Sequence, residues 1–80
     1  MLRIAQRHER IAVDPKVMRG KPCIRGTRIP VELILRYLGQ GQTVDDVLAA
    51  FPGLSAEDVR AAVAFAADVV ADEPVVLAGA

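Results

Sequence analysis

The sequence predicts a mainly α chain: a three-helix, helix-turn-helix (homeodomain-like) bundle with a short N-terminal β element. Three observations predict it. Apolar residues recur at three- and four-residue spacing in three successive windows between Ile29 and Val70, the period of a helix with one buried face. Gly39, Gly41 and Pro52-Gly53 fall between those windows, where helices stop. Ahead of them, Gly20, Pro22 and Gly26 argue against helix across 19–28 and leave only extended or turn-rich chain.

The β element comes first. Glu9 to Asp14 reads E-R-I-A-V-D, an apolar segment flanked by charge and closed by Asp14-Pro15, and the residue before a proline is turned away from helix. Residues 9–13 therefore read as a strand, with Cys23 and Ile24 as an extended piece placed to pair with it. Ile29, Leu33, Ile34, Tyr37 and Leu38 make the first helical stripe, and Pro30 suits a first turn, so the first helix is expected over 30–39.

Thr43-x-x-Asp46 has the form of a capping box with Asp in place of Glu or Gln. Val44, Val47, Leu48 and Phe51 follow at i, i+3, i+4, i+7, which predicts a helix over 43–51. Ser55-x-x-Asp58 repeats the cap after Pro52-Gly53-Leu54, and Val59, Val63, Ala66 and Val70 carry a third helix to about Asp72, with Pro74 ending it. The final PVVLAGA is apolar, either a frayed tail or a strand awaiting a partner. The chain divides into a basic N-terminal extension (1–8), a helix-turn-helix domain (9–72) and an apolar C-terminal tail (73–80).

Eighty residues make one domain with a small core, for which oligomerisation is an expected support. One cysteine, Cys23, forms no internal disulfide, and no Cys/His cluster has zinc spacing; this favours a reducing, cytoplasmic setting without metal or cofactor. The longest apolar run, Ala61 to Ala67, is far short of the roughly 20 residues a membrane span needs. The N-terminal MLRIAQRHER lacks the apolar stretch of a secretory signal.

A net charge of zero hides an asymmetry. Residues 1–28 hold eight basic and two acidic side chains, and residues 29–80 hold two basic and eight acidic ones. Such a division points to a polyanion on the basic half. It is equally what two halves, or two subunits, that neutralise each other would show.

Enzymatic chemistry finds no assembly. Gly20-Lys21 is not a nucleotide loop, because no glycine stands five residues earlier, Pro22 removes an N–H, and no Ser or Thr follows the lysine. His8 has no Ser or Cys to share a task with, and the carboxylate pairs Asp45-Asp46 and Glu57-Asp58 sit in helix first turns, where they complement the macrodipole. No nucleophile, base and orienter come together, so no enzyme is expected.

A helix-turn-helix would read bases with its third helix, yet that helix opens on Ser55-Ala56-Glu57-Asp58 and offers only Arg60 for a base contact. The segment RGKPCIRGTR, Arg19 to Arg28, suits DNA better: its Arg and Lys side chains and the N–H groups of Gly20 and Gly26 can grip phosphates. The alternative is that the glycines only serve turns and the cations are solvated, or that Arg28 pairs with Glu32, Asp45 or Asp46.

The order I-x-V-D-P-x-V-x-x-G-K-P-C-I-R-G-T-R-I-P-V from Ile11, with G-x-T-x-x-x-V-L and F-P-x-L-S-x-E-D-V-x-x-A after it, resembles the bacterial domain-of-unknown-function family numbered 433 over about 11–67. The resemblance implies a relation to helix-turn-helix antitoxins of type II toxin–antitoxin pairs, often encoded beside a PIN-like nuclease toxin. Operator binding with autorepression and neutralisation of the toxin would follow, and the carried-over motif positions are Gly20, Lys21, Pro22, Ile24, Gly26, Thr27 and Arg28, with Pro52 and Ser55 at the helix junction.

The resulting expectation is a DNA-binding antitoxin and autorepressor, dimeric through residues 9–13. Lys21, Arg25, Thr27 and Arg28 contact its own operator DNA, Arg3, Arg7 and Arg10 hold phosphates, and Arg60 is the third helix's contribution. The third helix and the PVVLAGA tail face a PIN-like toxin protein. The competing expectation is a protein-interaction module that binds no nucleic acid and meets an acidic partner surface with its basic segment.

Overall fold

The computed structural model describes residues 7–72; Arg3 with the rest of 1–6, and the tail 73–80, lie outside the described residues. The expected order of elements is present. Strand β1 (Ile11–Ala12) pairs antiparallel with β2 (Cys23–Ile24), Ile11 opposite Ile24 and Ala12 opposite Cys23. Three helices follow: α1 (Val31–Gly39), α2 (Val44–Ala50) and α3 (Ala56–Asp72). The chain is mainly α with a short N-terminal β element.

β2 is paired on both sides. Its other edge meets the chain returning toward α1, through a bridge between Cys23 and Pro30 and the Ile24 N–H donating to Ile29 O at 3.0 Å. The cysteine and isoleucine between Pro22 and Gly26 are therefore the centre of the β element, which accounts for the near-complete burial of both.

The first two helices start one residue later than the expected 30 and 43, because Pro30 and Thr43 are N-caps, and α2 ends at Ala50 with Phe51 as its C-cap. Thr43 Oγ1 accepts the Asp46 N–H while Asp46 Oδ2 accepts the Thr43 N–H, a complete capping box on α2. Ser55 and Asp58 make the same reciprocal pair ahead of α3. Aspartate is one methylene shorter than the usual glutamate, and both pairs still close at 2.9 to 3.2 Å.

The core is one cluster in which Ile11 and Ile24 from the β element meet Val31 and Ile34 of α1, Val47 of α2, and Val59, Ala62 and Phe65 of α3. Tyr37 and Phe51 stack at 5.5 Å at its edge and join α1 to the turn after α2. On α3 the buried line is Val59, Ala62, Phe65 with Val69 beside it, whereas Val63 and Val70 are exposed. The expected stripe through Val63 is thus rotated by one position, since Phe65 is the larger side chain and takes the core.

No described helix is long and apolar enough to cross a membrane.

Candidate nucleic-acid interface

The basic segment folds into two consecutive turns. Asp14-Pro15 opens the first: the Val17 N–H donates to Asp14 O and the Lys16 N–H to Asp14 Oδ1, both at 2.9 Å. The chain then passes through three residues in the left-handed region, Met18 (φ 49°), Arg19 (φ 58°) and Gly20 (φ 80°). Only the glycine takes that conformation freely, and each of the other two costs on the order of 1 kcal/mol. Space is no obstacle at Gly20, where a Cβ would make an ordinary contact 3.8 Å from the Pro15 Cα, so the backbone conformation alone favours glycine. No residue type at Met18 or Arg19 signals this turn.

The second turn is a hairpin tip, Arg25-Gly26-Thr27-Arg28. The Thr27 N–H donates to Ile24 O at 3.0 Å and Gly26 has φ +81°, the third-position conformation of a type II turn. Thr27 Oγ1 donates to Ile24 O at 2.7 Å and accepts the Ile29 N–H at 3.0 Å. Its hydroxyl is thereby spent on closing the tip. Arg25 is tied as well: its Nε donates to Glu9 O at 2.6 Å and its Nη2 to Ile11 O at 3.1 Å.

Those two carbonyls explain what Arg25 does. Because the Arg25 N–H bonds Arg10 O and Ile11 stands opposite Ile24, the N–H and C=O of Ile11 point off the ladder. The N–H is taken by His8 O at 3.0 Å and the C=O by Arg25. Pairing of two copies through residues 9–13 would have to displace both.

The other cations divide sharply. Arg10 reaches α3, where Nη1 is 3.0 Å from Asp58 Oδ1 and Nη2 contacts Glu57. His8 Nε2 lies 2.6 Å from Asp68 Oδ2, with its ring edge-on to Phe65, and Arg7 approaches Asp72 at 3.9 Å. Lys21 Nζ is 2.8 Å from Glu32, which also takes Arg36. The Lys21 ammonium and then Arg36 hold the Glu32 carboxyl below the usual carboxylate range.

Arg7, His8 and Arg10 thus lie along α3, where the two arginines pair with Asp72, Glu57 and Asp58, while Lys21 pairs with Glu32 of α1. The basic segment itself meets only Glu32, through Lys21, while Glu57, Asp58, Asp68 and Asp72 are met by residues 7–10, and none of the ion pairs among the described residues involves Asp45 or Asp46. Burial works to raise the Asp58 pKa, and the Ser55 N–H with Arg10 outweighs it, leaving the carboxyl below its ordinary value.

Among the described residues, Lys16, Arg19, Arg28 and Arg60 form no ion pair, and all four are exposed. Arg60 stands apart on α3. Asp14 and Val17 line one recess of about 450 Å³ with Arg25, Gly26, Thr27 and Arg28, so the turn that carries Lys16 lies against the hairpin tip. This surface, 14–19 with 25–28, carries Lys16, Arg19, Arg25 and Arg28 against one acidic residue, Asp14. Sequence reasoning named Arg25, Thr27 and Arg28 of this surface, took in Arg19 only as part of the segment 19–28, and passed over Lys16, although the charge count of residues 1–28 included it.

Cys23 lies under the same surface and is buried, its Sγ 3.3 Å from Lys21 O. Burial pushes its thiol pKa up, with Lys21 opposing, so it is a packed side chain and a poor nucleophile. No cluster of three or more His, Cys, Asp or Glu suited to a metal occurs among the described residues.

An apolar groove of about 420 Å³ runs between α1 and α3, lined by Pro22, Val31, Leu35, Phe65, Val69 and Val70 and bordered by the Lys21–Glu32 pair. It lies away from the hairpin tip.

Residues 11–66 match the family described as "Protein of unknown function (DUF433)". A crystal structure of a DUF433 member from Anabaena variabilis superposes with a TM-score of 0.71 at 38% identity, over 84% of this chain and 67% of that one. The uncharacterized protein y4eO of Sinorhizobium fredii is 35% identical over 63 residues, 79% of this chain. The chain spans 28% of the length of that relative. An uncharacterized protein of Archaeoglobus fulgidus is 64% identical over 28 residues, 35% of this chain and 78% of its own.

Proposed function

The chain belongs to the DUF433 family, and from that premise and the chemistry of its basic surface we propose that it binds duplex DNA as the antitoxin and autorepressor of a type II toxin–antitoxin pair. The observation that carries the reading is Arg28, an exposed guanidinium without a carboxylate partner among the described residues, on a turn that the Thr27 N–H and hydroxyl close. Cations left unneutralised on a fixed turn are what phosphate contact requires. Lys16 and Arg19 extend the same surface.

The DNA contacts proposed are a narrower set than the sequence suggests. Arg7, Arg10 and Lys21 are engaged with carboxylates of this chain, and Arg25 and Thr27 with its backbone. The N-terminus of α3 is closed by Arg10 and by its capping pair, so the hairpin tip, and not the third helix, meets the nucleic acid. The antitoxin setting rests on what the resemblance to the family implies, a relation to antitoxins encoded beside PIN-like toxins. The groove between α1 and α3 supplies an apolar face for such a partner.

Gel retardation of a duplex from its own promoter tests the reading. Retardation is expected at about 50 mM salt and should weaken steeply at higher salt. Replacing Lys16, Arg19 and Arg28 together by alanine should abolish it while leaving the circular dichroism spectrum unchanged. A second reading, a protein-interaction module without DNA binding, is favoured by the number of cations spent inside the chain. It would be upheld by co-purification with the product of the adjacent open reading frame and no retardation at any salt.

A further inference from the structure

Resting on the duplex-DNA reading above, we propose that Arg28 inserts into the minor groove of A·T-rich DNA, with Lys16 and Arg19 on the flanking phosphates. The shape of the tip comes first. Four residues, Arg25 to Arg28, span the turn between Ile24 and Ile29, which are joined by one hydrogen bond at 3.0 Å. A Cβ on Gly26 would meet no atom within 4 Å. The tip is thus narrow and its outward face at Gly26 is open, while its inner side lies against the 14–17 turn.

The major groove, about 12 Å wide, is read by a helix or a two-stranded ribbon lying in it. Neither is free here. The β ribbon buries Ile11 and Ile24 in the core, and the start of α3 is occupied by Arg10. The minor groove, about 6 Å wide, takes a single extended side chain from outside.

The donors at the tip also fit. Thr27 has no hydroxyl proton to spare and Arg25 has two of its N–H groups on Glu9 O and Ile11 O. One free guanidinium remains, enough for a single guanine in the major groove but not for a longer base pattern there. It does suit the negative potential that a narrow A·T minor groove concentrates. The aromatic rings are elsewhere: Phe65 is in the core and Tyr37 stacks on Phe51. The basic surface therefore has no platform on which unpaired bases stack, so the substrate is duplex and not single-stranded.

Fluorescence anisotropy of the full chain on three duplexes of equal length tests this: one A·T-rich, one G·C-rich, and one with inosine replacing guanine in the G·C-rich sequence. Inosine keeps the guanine major-groove edge and removes the minor-groove amino group. The A·T-rich and inosine duplexes are expected to bind about tenfold tighter than the G·C-rich one. Arg28→Lys should keep binding while bringing the three within about twofold, because the compact ammonium loses the fit of the planar guanidinium.

An inosine duplex that binds like the G·C-rich one overturns the proposal, as does an undiminished A·T preference in Arg28→Lys. Either result leaves duplex binding itself intact. Failure of all three duplexes to bind overturns this proposal and the DNA reading together.

Discussion

Arg25 Nη2 donates to the carbonyl oxygen of Ile11 at 3.1 Å, and the same guanidinium holds Glu9 O through Nε. An arginine in the middle of a basic motif is thereby a clamp on the outer edge of a two-residue strand. Unpaired strand edges invite another chain, and this one is closed from within.

Removing that clamp leaves two carbonyls without their donor. Arg25→Ala is expected to cost about 1–3 kcal/mol, read as a lower urea midpoint at unchanged slope. Arg25→Lys, with one point donor for two acceptors, should fall between. A loss of DNA binding in Arg25→Ala that returns on adding a stabilising osmolyte would separate this clamp from a direct contact.

Asp58 sets an acid limit on stability. Burial works against its charge, but Ser55 and Arg10 hold its pKa below the ordinary value. A depressed native pKa contributes stability that is complete above the unfolded carboxylate range and is lost as pH falls through the native value. Asp58→Asn is expected to flatten the acid side of the stability profile and to cost about 1–2 kcal/mol at neutral pH through the weakened cap. Chemical denaturation between pH 3 and pH 7 checks both, those bounds being taken to bracket roughly the carboxylate range.

Gly26→Ala isolates backbone strain. The new methyl meets nothing within 4 Å, so the whole cost comes from holding alanine at φ +81°, about 1 kcal/mol. A melting temperature lowered by a few degrees, with no change in the β element's amide chemical shifts, is the expected result.

Ile34 tests the core. It is fully buried between α1 and the rest of the cluster, and truncation to alanine should cost about 2–5 kcal/mol. In a domain this small that is enough to unfold a large share of the chain at 37 °C. The exposed pair Arg7–Asp72 is the contrast: a double-mutant cycle should give under about 0.5 kcal/mol.

The helices were legible because their signals are local. Thr43-x-x-Asp46 and Ser55-x-x-Asp58 mark the starts of α2 and α3, and the glycines mark the gaps. The pairing of Ile11-Ala12 with Cys23-Ile24 was also within reach, since turn residues leave few other extended pieces. What was not legible depends on contacts far apart in the sequence. Nothing in Arg25 says that it turns back to Glu9 and Ile11, and nothing in Arg10 says that it meets Glu57 and Asp58. The charge asymmetry was visible, but which cations are neutralised follows only from residues 7–10 lying along α3. The left-handed turn at Met18 and Arg19 has no residue-type signature apart from Gly20.

The central claim is that the unpaired cations beside the hairpin tip hold DNA, and the salt dependence of binding tests it most directly. Plotting log affinity against log salt for a promoter duplex should give a slope of roughly −3, one unit for each of Lys16, Arg19 and Arg28. Arg28→Ala should make it shallower by about one unit with the urea midpoint unchanged. No measurable binding at about 50 mM salt, or the same slope and affinity in Arg28→Ala, would contradict the account.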